Sequence, residues 1–168
     1  MHKVYIGLGA NQGAPIAQLT GALQALARDT QISALRVSKL YASKPMGPQD
    51  QPDYVNAVAE FTTLLTPLAL LDKLQALELQ FGRVRKDERW GPRTLDLDIL
   101  LFADAVINTP RLTVPHYGMT VREFVIYPLS DLAPSLCLAN GQTVAELKQA
   151  LPANGIYVMD DNWFPPLA

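Results

Sequence analysis

The sequence predicts an α+β protein with a ferredoxin-like βαββαβ core and a C-terminal extension of helices and strand. Four segments have the alternating apolar pattern typical of strands, and two segments between them carry apolar residues at helical spacing. Their order along the chain is strand, helix, strand, strand, helix, strand, which is the split βαβ pattern. With 168 residues, the chain is expected to form a single domain over residues 1–168.

The first half of the predicted core is a strand, a helix and a second strand. Alternating apolar residues with β-branched side chains favour a strand over residues 3–8. Leucines recur at helical spacing behind a proline suited to a first helical turn, which predicts a helix over Pro15–Arg28. A second strand is predicted over residues 35–42. The prolines that follow cannot continue a strand ladder, so residues 43–53 are predicted to form a loop.

The second half of the core repeats this order. Alternation returns over Tyr54–Thr63 and predicts the third strand. Thr66 is a candidate N-cap for the helix that follows, and Gly82 is a natural left-handed stop at its end. A polar loop over residues 83–94 leads into a fourth strand over residues 95–102. The other predicted elements are a short strand near Val106, a helix over residues 120–132, a short helix over residues 143–151 and a proline-containing tail.

Composition and charge exclude several classes of protein. Hydrophobic residues make up 49% of the chain and charged residues 18%, which excludes a disordered protein. The net charge of −2 predicts no general attraction to nucleic acid or to an anionic membrane. Cys137 is the only cysteine and no apolar run is long enough to span a membrane, so we expect a cytoplasmic protein. Its expected partners are small molecules, and it is expected to act as a monomer.

Three glycines follow the first strand where a dinucleotide-binding protein has its phosphate loop. Gly7, Gly9 and Gly13 have the spacing G-x-G-x-x-x-G, and no acidic residue ends the next strand as a nicotinamide site would require. The sequence also has no P-loop pattern G-x-x-x-x-G-K-[ST]. We interpret the three glycines as a tight turn from strand to helix.

Asp96 and Asp98 are the sharpest candidates for chemistry. Residues two apart on a strand point to the same side, so both carboxylates share one face of the fourth strand. The opposite face is apolar, with Leu95, Leu97, Ile99 and Leu101. Two carboxylates at this spacing can hold one Mg²⁺ ion or bridge two, which suits phosphoryl transfer. The alternative is an ordinary solvated strand face that carries two acids.

The loop before these acids is unusually basic. It carries five of the fourteen basic residues: Arg83, Arg85, Lys86, Arg89 and Arg93. Guanidinium groups bind phosphate oxygens in bidentate fashion, and a loop can close over a ligand. Two alternatives are a solvated charged loop and a nucleic-acid patch interleaved with Trp90, the second of which the net charge disfavours.

Two further groups of residues are candidates for binding. Tyr54 and Asn56 lie on one strand face directly after the proline-rich loop, where an aromatic plane and an amide suit a flat heterocycle. The alternative is an edge-strand pair in water. His116 and Tyr117 follow Pro115, and they stay ambiguous on their own because a lone loop histidine is more often structural or solvated.

Four stretches of the sequence together resemble one known enzyme family. The longest is RVRKDERWGPRTLDLDILLF over residues 83–102. It is joined by YIGLGAN over residues 5–11, GPQDQPDYVN over residues 47–56 and LTVPHY over residues 112–117. These motifs resemble those of hydroxymethyl-dihydropterin pyrophosphokinases, and with their intervals they cover most of the chain to about Leu132. The resemblance implies transfer of the pyrophosphoryl group of ATP to the hydroxymethyl group of a reduced pterin, with release of AMP, in folate biosynthesis.

The resemblance also implies roles for individual residues. Asp96 and Asp98 would bind two Mg²⁺ ions, and together with Arg83 and Arg93 they would form the catalytic set. The implied ATP contacts are Lys86, Arg89, Trp90, Ile99, Arg111, Thr113, His116 and Tyr117. The implied pterin contacts are Ser43, Lys44, Met46, Gly47, Tyr54, Asn56 and Phe124. Lys44 departs from the family pattern, which often has proline there.

Two other functions remain open at this point. A ferredoxin-like module could bind RNA through Trp90 and the basic loop, although the central strands lack the aromatic pattern that such modules use. A metal-dependent phosphohydrolase could use the same two acids. Formation of AMP that depends on the pterin would separate the pyrophosphokinase from both.

Overall fold

The computed structural model of the chain describes residues 1–11, 14–43, 54–82, 95–138, 140–153, 155–160 and 163–164. The predicted loops therefore fall almost wholly outside the described residues. The strands are β1 (His2–Ala10), β2 (Ile32–Val37), β3 (Leu40–Ser43), β4 (Tyr54–Thr63), β5 (Asp96–Phe102), β6 (Ile107–Asn108), β7 (Thr113–Val114) and β8 (Tyr157–Asp160). The helices are α1 (Pro15–Arg28), α2 (Pro67–Gly82), α3 (Glu123–Leu132) and α4 (Val144–Ala150), with a 3-10 turn at Met119–Val121.

An antiparallel sheet organises the described part of the chain. Its strand order is β5-β1-β4-β3-β8, and β2 pairs with β4 beside β3. The fold is thus a mixed α/β fold with an antiparallel sheet. Gly9 on β1 pairs with Asn56 on β4 and with Asp96 on β5, and this register sets which side chains meet on each face. A separate hairpin joins β6 to β7.

Apolar side chains cover both faces of the sheet. On the first face, alternate residues of β1 and β4, such as Val4, Ile6 and Phe61, pack with the leucines of α1 and α2. On the second face, Tyr5, Val58 and Leu100 pack against α3 and α4. The helices of the second face leave the Gly9 end of β1 uncovered by apolar side chains, since Asp96 and Asp98 there are exposed.

The second predicted strand is interrupted in the structure. Residues 35–42 were expected to be continuous, but the chain forms β2 and β3 with Ser38 and Lys39 between them. The Ser38 hydroxyl accepts the Val58 N–H at 2.9 Å and donates to the Lys39 carbonyl at 2.8 Å. The Ser38 side chain thereby replaces a backbone carbonyl as the acceptor for Val58. The strand can be interrupted here without leaving a buried N–H group unpaired.

The ends of α2 confirm one prediction and overturn another. Thr66 is the N-cap, because its hydroxyl accepts the Ala69 N–H at 3.2 Å. Gly82 is not a left-handed stop, since it is the last helical residue and its φ is not positive. A Cβ there would lie 2.8 Å from the Cβ of Leu95. Close approach of the β5 backbone therefore explains this glycine better than helix termination does.

The second half of the chain differs from the prediction in two places. The helix expected over residues 120–132 is a 3-10 turn and α3, separated by Arg122 in an extended conformation (φ −111°, ψ 114°). A bulge after Ile99 leaves Leu101 half-buried against the second face, not on the core face with its neighbours. The strand near Val106 and the helix over residues 143–151 are confirmed as β6 and α4. No helix of the described ranges is both long and apolar enough to cross a membrane.

Candidate active site

The strand register places the candidate residues in a row across the second face of the sheet. Asp96, Gly9, Asn56 and Tyr41 lie side by side on β5, β1, β4 and β3. Asp98 lies beside Gly7 in the next row. Directly paired residues of neighbouring strands have Cβ atoms about 5 Å apart, so the acids and Asn56 are separated by the width of one glycine strand.

The two glycines of β1 form the floor between the acids and Asn56. The interpretation of Gly7 and Gly9 as a turn is wrong, because both lie inside β1 and are paired on both sides; Gly13 lies outside the described residues. A Cβ on Gly9 would lie 2.8 Å from Nδ2 of Asn56, so the Asn56 amide rests directly over the Gly9 backbone. Any larger residue at position 9 would displace the Asn56 amide from this place.

Asp96 and Asp98 present an accessible pair of carboxylates on this face. Both side chains are exposed, while Leu97 and Ile99 on the same strand are buried in the first core, as the alternation predicts. The Glu78 carboxylate of α2 accepts the Leu97 N–H at 2.8 Å and fastens β5 to that helix. Among the described residues no group of three or more acid, histidine or cysteine side chains forms a ready metal cage. A metal bound here would need further oxygen ligands from its substrate or from water.

His116 is held close to this face in its neutral form. Its backbone N–H donates to the Leu100 carbonyl at 3.0 Å, and its Nδ1 accepts the Gly118 N–H at 3.3 Å. Burial lowers the pKa of the imidazole; the Asp98 carboxylate opposes this effect and the Arg122 guanidinium adds to it. Because Nδ1 is an acceptor, the neutral ring carries its proton on Nε2, where it can donate to a ligand oxygen.

Arg122 is a site residue that the sequence analysis missed. Its guanidinium lies 5.5 Å from the ring centroid of Tyr117 and 5.6 Å from that of Phe124. Tyr117 also stacks on His116, with ring centroids 4.8 Å apart. A fixed cation therefore lies between an implied ATP residue and an implied pterin residue. Its position one residue before a helix start gave no signal in the sequence.

The implied nucleotide residues on β5 and on the β6–β7 hairpin have different surroundings. Arg111 forms an ion pair with Asp72 and a 3.4 Å contact to Gln75, both on α2. Thr113 is exposed on β7, whereas the Ile99 side chain is buried in the first core. Any contact from Ile99 to a ligand on the second face must therefore come from its backbone.

The implied pterin residues within the described ranges lie at the β3 and β4 side of the floor. Ser43 pairs with Tyr54, and Tyr54 is 40% exposed on the same strand face as Asn56. Phe124 is half-buried at the start of α3, which packs over β4. Eight of the implied residues lie outside the described ranges: Lys44, Met46, Gly47, Arg83, Lys86, Arg89, Trp90 and Arg93.

Comparison with known proteins identifies the family. Residues 5–134 match the family model described as 7,8-dihydro-6-hydroxymethylpterin-pyrophosphokinase. A Pseudomonas aeruginosa 2-amino-4-hydroxy-6-hydroxymethyldihydropteridine pyrophosphokinase is 54% identical over 93% of this chain and 96% of that protein. The Haemophilus influenzae protein of the same name is 53% identical over 88% of this chain and 91% of that protein.

Solved structures give the same fold at low sequence identity. A crystal structure of HPPK-DHPS in complex with substrates superposes with a TM-score of 0.68 over 89% of this chain, at 11% identity. The wild-type Plasmodium falciparum HPPK-DHPS gives a TM-score of 0.69 at 15% identity. This chain spans 45% and 41% of those two chains. At such identity the likeness supports the fold alone.

Taken with the accessible acids and the neighbouring cation, these matches define the protein as an ATP-dependent diphosphotransferase. The chain belongs to the 7,8-dihydro-6-hydroxymethylpterin-pyrophosphokinase family. It transfers a pyrophosphoryl group to hydroxymethyldihydropterin in folate biosynthesis. The resemblance drawn from the sequence motifs is thereby confirmed at the level of family and reaction.

Proposed function

We propose that the row Asp96, Gly9, Asn56 is where pyrophosphoryl transfer takes place on this chain. The carrying observation is that the Asn56 amide rests over Gly9, whose other neighbour in the sheet is Asp96. A heterocycle whose edge is bound by Asn56 would therefore extend toward the carboxylates. The phosphate chain of ATP would be bound on the acid side of the same floor.

On the acid side, Asp96 and Asp98 are the proposed metal ligands. Their oxygen donors and their exposure on one strand face fit Mg²⁺, which takes one or two carboxylates and fills its other positions with water and phosphate oxygens. Bound Mg²⁺, two ions by analogy with the family, would neutralise charge on the triphosphate of ATP. Gly7 and Gly9, the residues paired with Asp98 and Asp96 on the neighbouring strand, add no side chain of their own beside either acid.

His116, Tyr117 and Arg122, all of which precede α3, are proposed to hold phosphate oxygens. His116 can donate from Nε2 while its Nδ1 accepts from Gly118. The Arg122 guanidinium adds a permanent positive charge beside it and is kept in place by the rings of Tyr117 and Phe124. Preorganised donors of this kind stabilise charge that shifts during transfer, because they need no rearrangement at that moment.

On the β3 and β4 side, Tyr54 and Phe124 are proposed to stack on the two faces of the pterin. Asn56 offers both a donor and an acceptor to the edge of the ring, as a heterocycle with amide-like groups requires. Ser43 lies at the end of β3 next to Tyr54 and is proposed to contact the same edge. Lys44, Met46 and Gly47 are assigned to this pocket by the family resemblance alone.

The basic residues outside the described ranges complete the proposal by the same resemblance. Arg83 and Arg93 are proposed to neutralise charge on the transferred group, and Lys86, Arg89 and Trp90 to contact ATP. A loose phosphoryl-type transition state is helped chiefly by alignment and by cations around its oxygens. The mechanism therefore requires no histidine acting as a general base. Arg111 and Thr113 are proposed to contact the nucleotide from the β6–β7 hairpin.

The wider description of the molecule is also proposed. The strand order β5-β1-β4-β3 with α1 and α2 on one face supports a ferredoxin-like core. A monomer in the cytoplasm is proposed from the balanced charge and the single cysteine.

The proposal is tested by following the nucleotide product in the presence of MgATP and 6-hydroxymethyl-7,8-dihydropterin. AMP should form only when the pterin is present, and D96N or D98N should abolish most of it. D104N is the matched control, because Asp104 is also an exposed acid but lies in the turn beyond β5. Release of ADP and phosphate without pterin would instead indicate a phosphohydrolase. Equal losses in all three variants would refute the special role of the β5 acids.

A further inference from the structure

A tyrosine next to the pterin side of the site is fastened to the helix that carries Phe124. Tyr41 pairs with Asn56 across β3 and β4, and it is only 4% exposed. We infer that Tyr41 and Asp131 are positioning residues, which set the height of α3 above the sheet and hence the place of Phe124 in the pterin pocket. The inference deepens the proposed function and rests on it.

The Tyr41 hydroxyl donates its hydrogen to the Asp131 carboxylate, which is a charged and therefore strong acceptor. The Tyr41 hydroxyl lies 3.0 and 2.9 Å from the two carboxylate oxygens of Asp131. The Lys39 backbone N–H donates to the same carboxylate at 3.2 Å. Burial, and then the hydrogen bond to Asp131, raise the pKa of Tyr41, so the hydroxyl stays a donor throughout the physiological range. Because this hydroxyl is engaged, Tyr41 is not itself a ligand for the pterin.

Helix geometry connects this contact to Phe124. Asp131 follows Phe124 by seven residues, which is close to two full turns, so both side chains leave α3 on the same side. They stand about 10 Å apart along the helix axis, with Asp131 at the C-terminal end and Phe124 at the N-terminal end. A tether at Asp131 therefore restricts both the rotation of α3 and its distance from the sheet. Phe124 is thereby held at a face of the proposed pocket whose edge Asn56 contacts.

Tyr127, which lies on α3 itself, provides a comparison with Tyr41, because its hydroxyl also forms a hydrogen bond. The Tyr127 hydroxyl donates to the Leu151 carbonyl at 2.8 Å, just beyond the end of α4. This bond fastens α3 to a neighbouring helix and not to the strands of the site. Removing either hydroxyl deletes a partly buried hydrogen bond. The loss of stability should be larger in Y41F, because its acceptor is a carboxylate, but only Y41F should change the site.

The experiment compares Y41F and Y127F, each folded and checked by thermal unfolding. Pterin affinity is measured at equilibrium with a nonreactive MgATP analogue present, MgATP affinity is measured separately, and turnover gives KM and kcat. Y41F should weaken pterin binding by about 3- to 10-fold, the loss expected when a charge-assisted tether is removed and one bound contact is misplaced. MgATP affinity in Y41F and both affinities in Y127F should stay within about twofold of the unchanged protein. D131N, which keeps an acceptor for the hydroxyl, should give an intermediate loss.

The route through Phe124 is tested with a double-mutant cycle. In a Phe124→Ala background, Y41F should cause little additional loss of pterin affinity, because the side chain that it positions is gone. Equal losses in Y41F and Y127F, or an undiminished effect of Y41F without Phe124, would overturn the inference. If Y41F does not fold, the inference is tested with D131N instead, by measuring its pterin affinity both alone and in the Phe124→Ala background. Failure of the unchanged protein to bind the pterin would refute the proposed site instead, so the two failures are distinguishable.

Discussion

Replacing Gly9 by alanine should damage the pterin site while leaving the fold intact. The new Cβ would lie 2.8 Å from Nδ2 of Asn56, against the roughly 3.5 Å of an ordinary contact, so the amide must move by about 0.7 Å. The nearest backbone atom, the Val55 carbonyl oxygen, is 3.8 Å away and needs no adjustment. A shift of this size breaks hydrogen bonds from Asn56 to a bound heterocycle, at a cost of about 1–3 kcal/mol. Pterin affinity should therefore fall by roughly 5- to 150-fold.

Gly7 supplies the matched control for this change. It lies on the same strand and the same face, but a Cβ there would meet only the Leu100 side chain at an ordinary 3.6 Å. Titration of both variants with the reduced pterin, in the presence of a nonreactive MgATP analogue, gives the two affinities, and denaturant unfolding gives the stabilities. The free energy of unfolding of Gly9→Ala should lie within about 1 kcal/mol of that of the unchanged protein. Normal pterin affinity in Gly9→Ala, or an equal loss in Gly7→Ala, would refute the assignment of Asn56 and of its close contact with Gly9.

Three further predictions concern the acids, the histidine and the nucleotide side. Asp96→Ala and Asp98→Ala should each lose most turnover and keep the unfolding midpoint within a few degrees, because both side chains are exposed; near-normal turnover would contradict a metal role. His116 has a lowered pKa in the folded chain, so its contribution to stability is present above the unfolded value of about 6.5 and is lost as pH falls below it. As pH is lowered from 7.5 to 5.5, the free energy of unfolding should therefore fall more for the unchanged protein than for His116→Gln. An equal fall in both proteins would argue against the lowered pKa. Asp72→Asn should alter stability by at most about 1 kcal/mol and should strengthen MgATP binding a few-fold by releasing Arg111, so weaker binding would show that the ion pair assists the nucleotide.

Patterns that repeat within one element were predictable from the sequence. The alternation along β4 assigned Asn56 and Tyr54 to one face of that strand, and the alternation along β5 assigned Asp96 and Asp98 to one face of theirs, because the side-chain period of a strand is a local property. The Thr66 cap was predictable for the same reason, since it depends on residues three positions apart. The family resemblance supplied the roles of residues whose local pattern was ambiguous, such as His116.

Features that depend on which strands are neighbours were not predictable. Gly9 matters because Asn56 and Asp96 flank it in the sheet, and no local pattern contains that register. The glycines were therefore assigned to a turn. Gly82 was misassigned in the same way, since its spatial neighbour Leu95 is distant from it in the sequence. The hydrogen bond between Tyr41 and Asp131 likewise joins residues far apart in the chain, and the local sequence around either residue does not predict it.

The last strand of the sheet, β8, determines which backbone groups are exposed at one edge of the sheet. β8 covers the side of β3 that β4 leaves open, and beyond it the Trp163 indole donates to the Ser38 carbonyl at 3.0 Å. A chain ending before Tyr157 would expose the N–H and C=O groups of β3 as a template for pairing with another molecule. β8 itself is a poor template, because it is only four residues long and ends in Asp160. Shortened chains should therefore aggregate through β3 at concentrations that the intact protein tolerates.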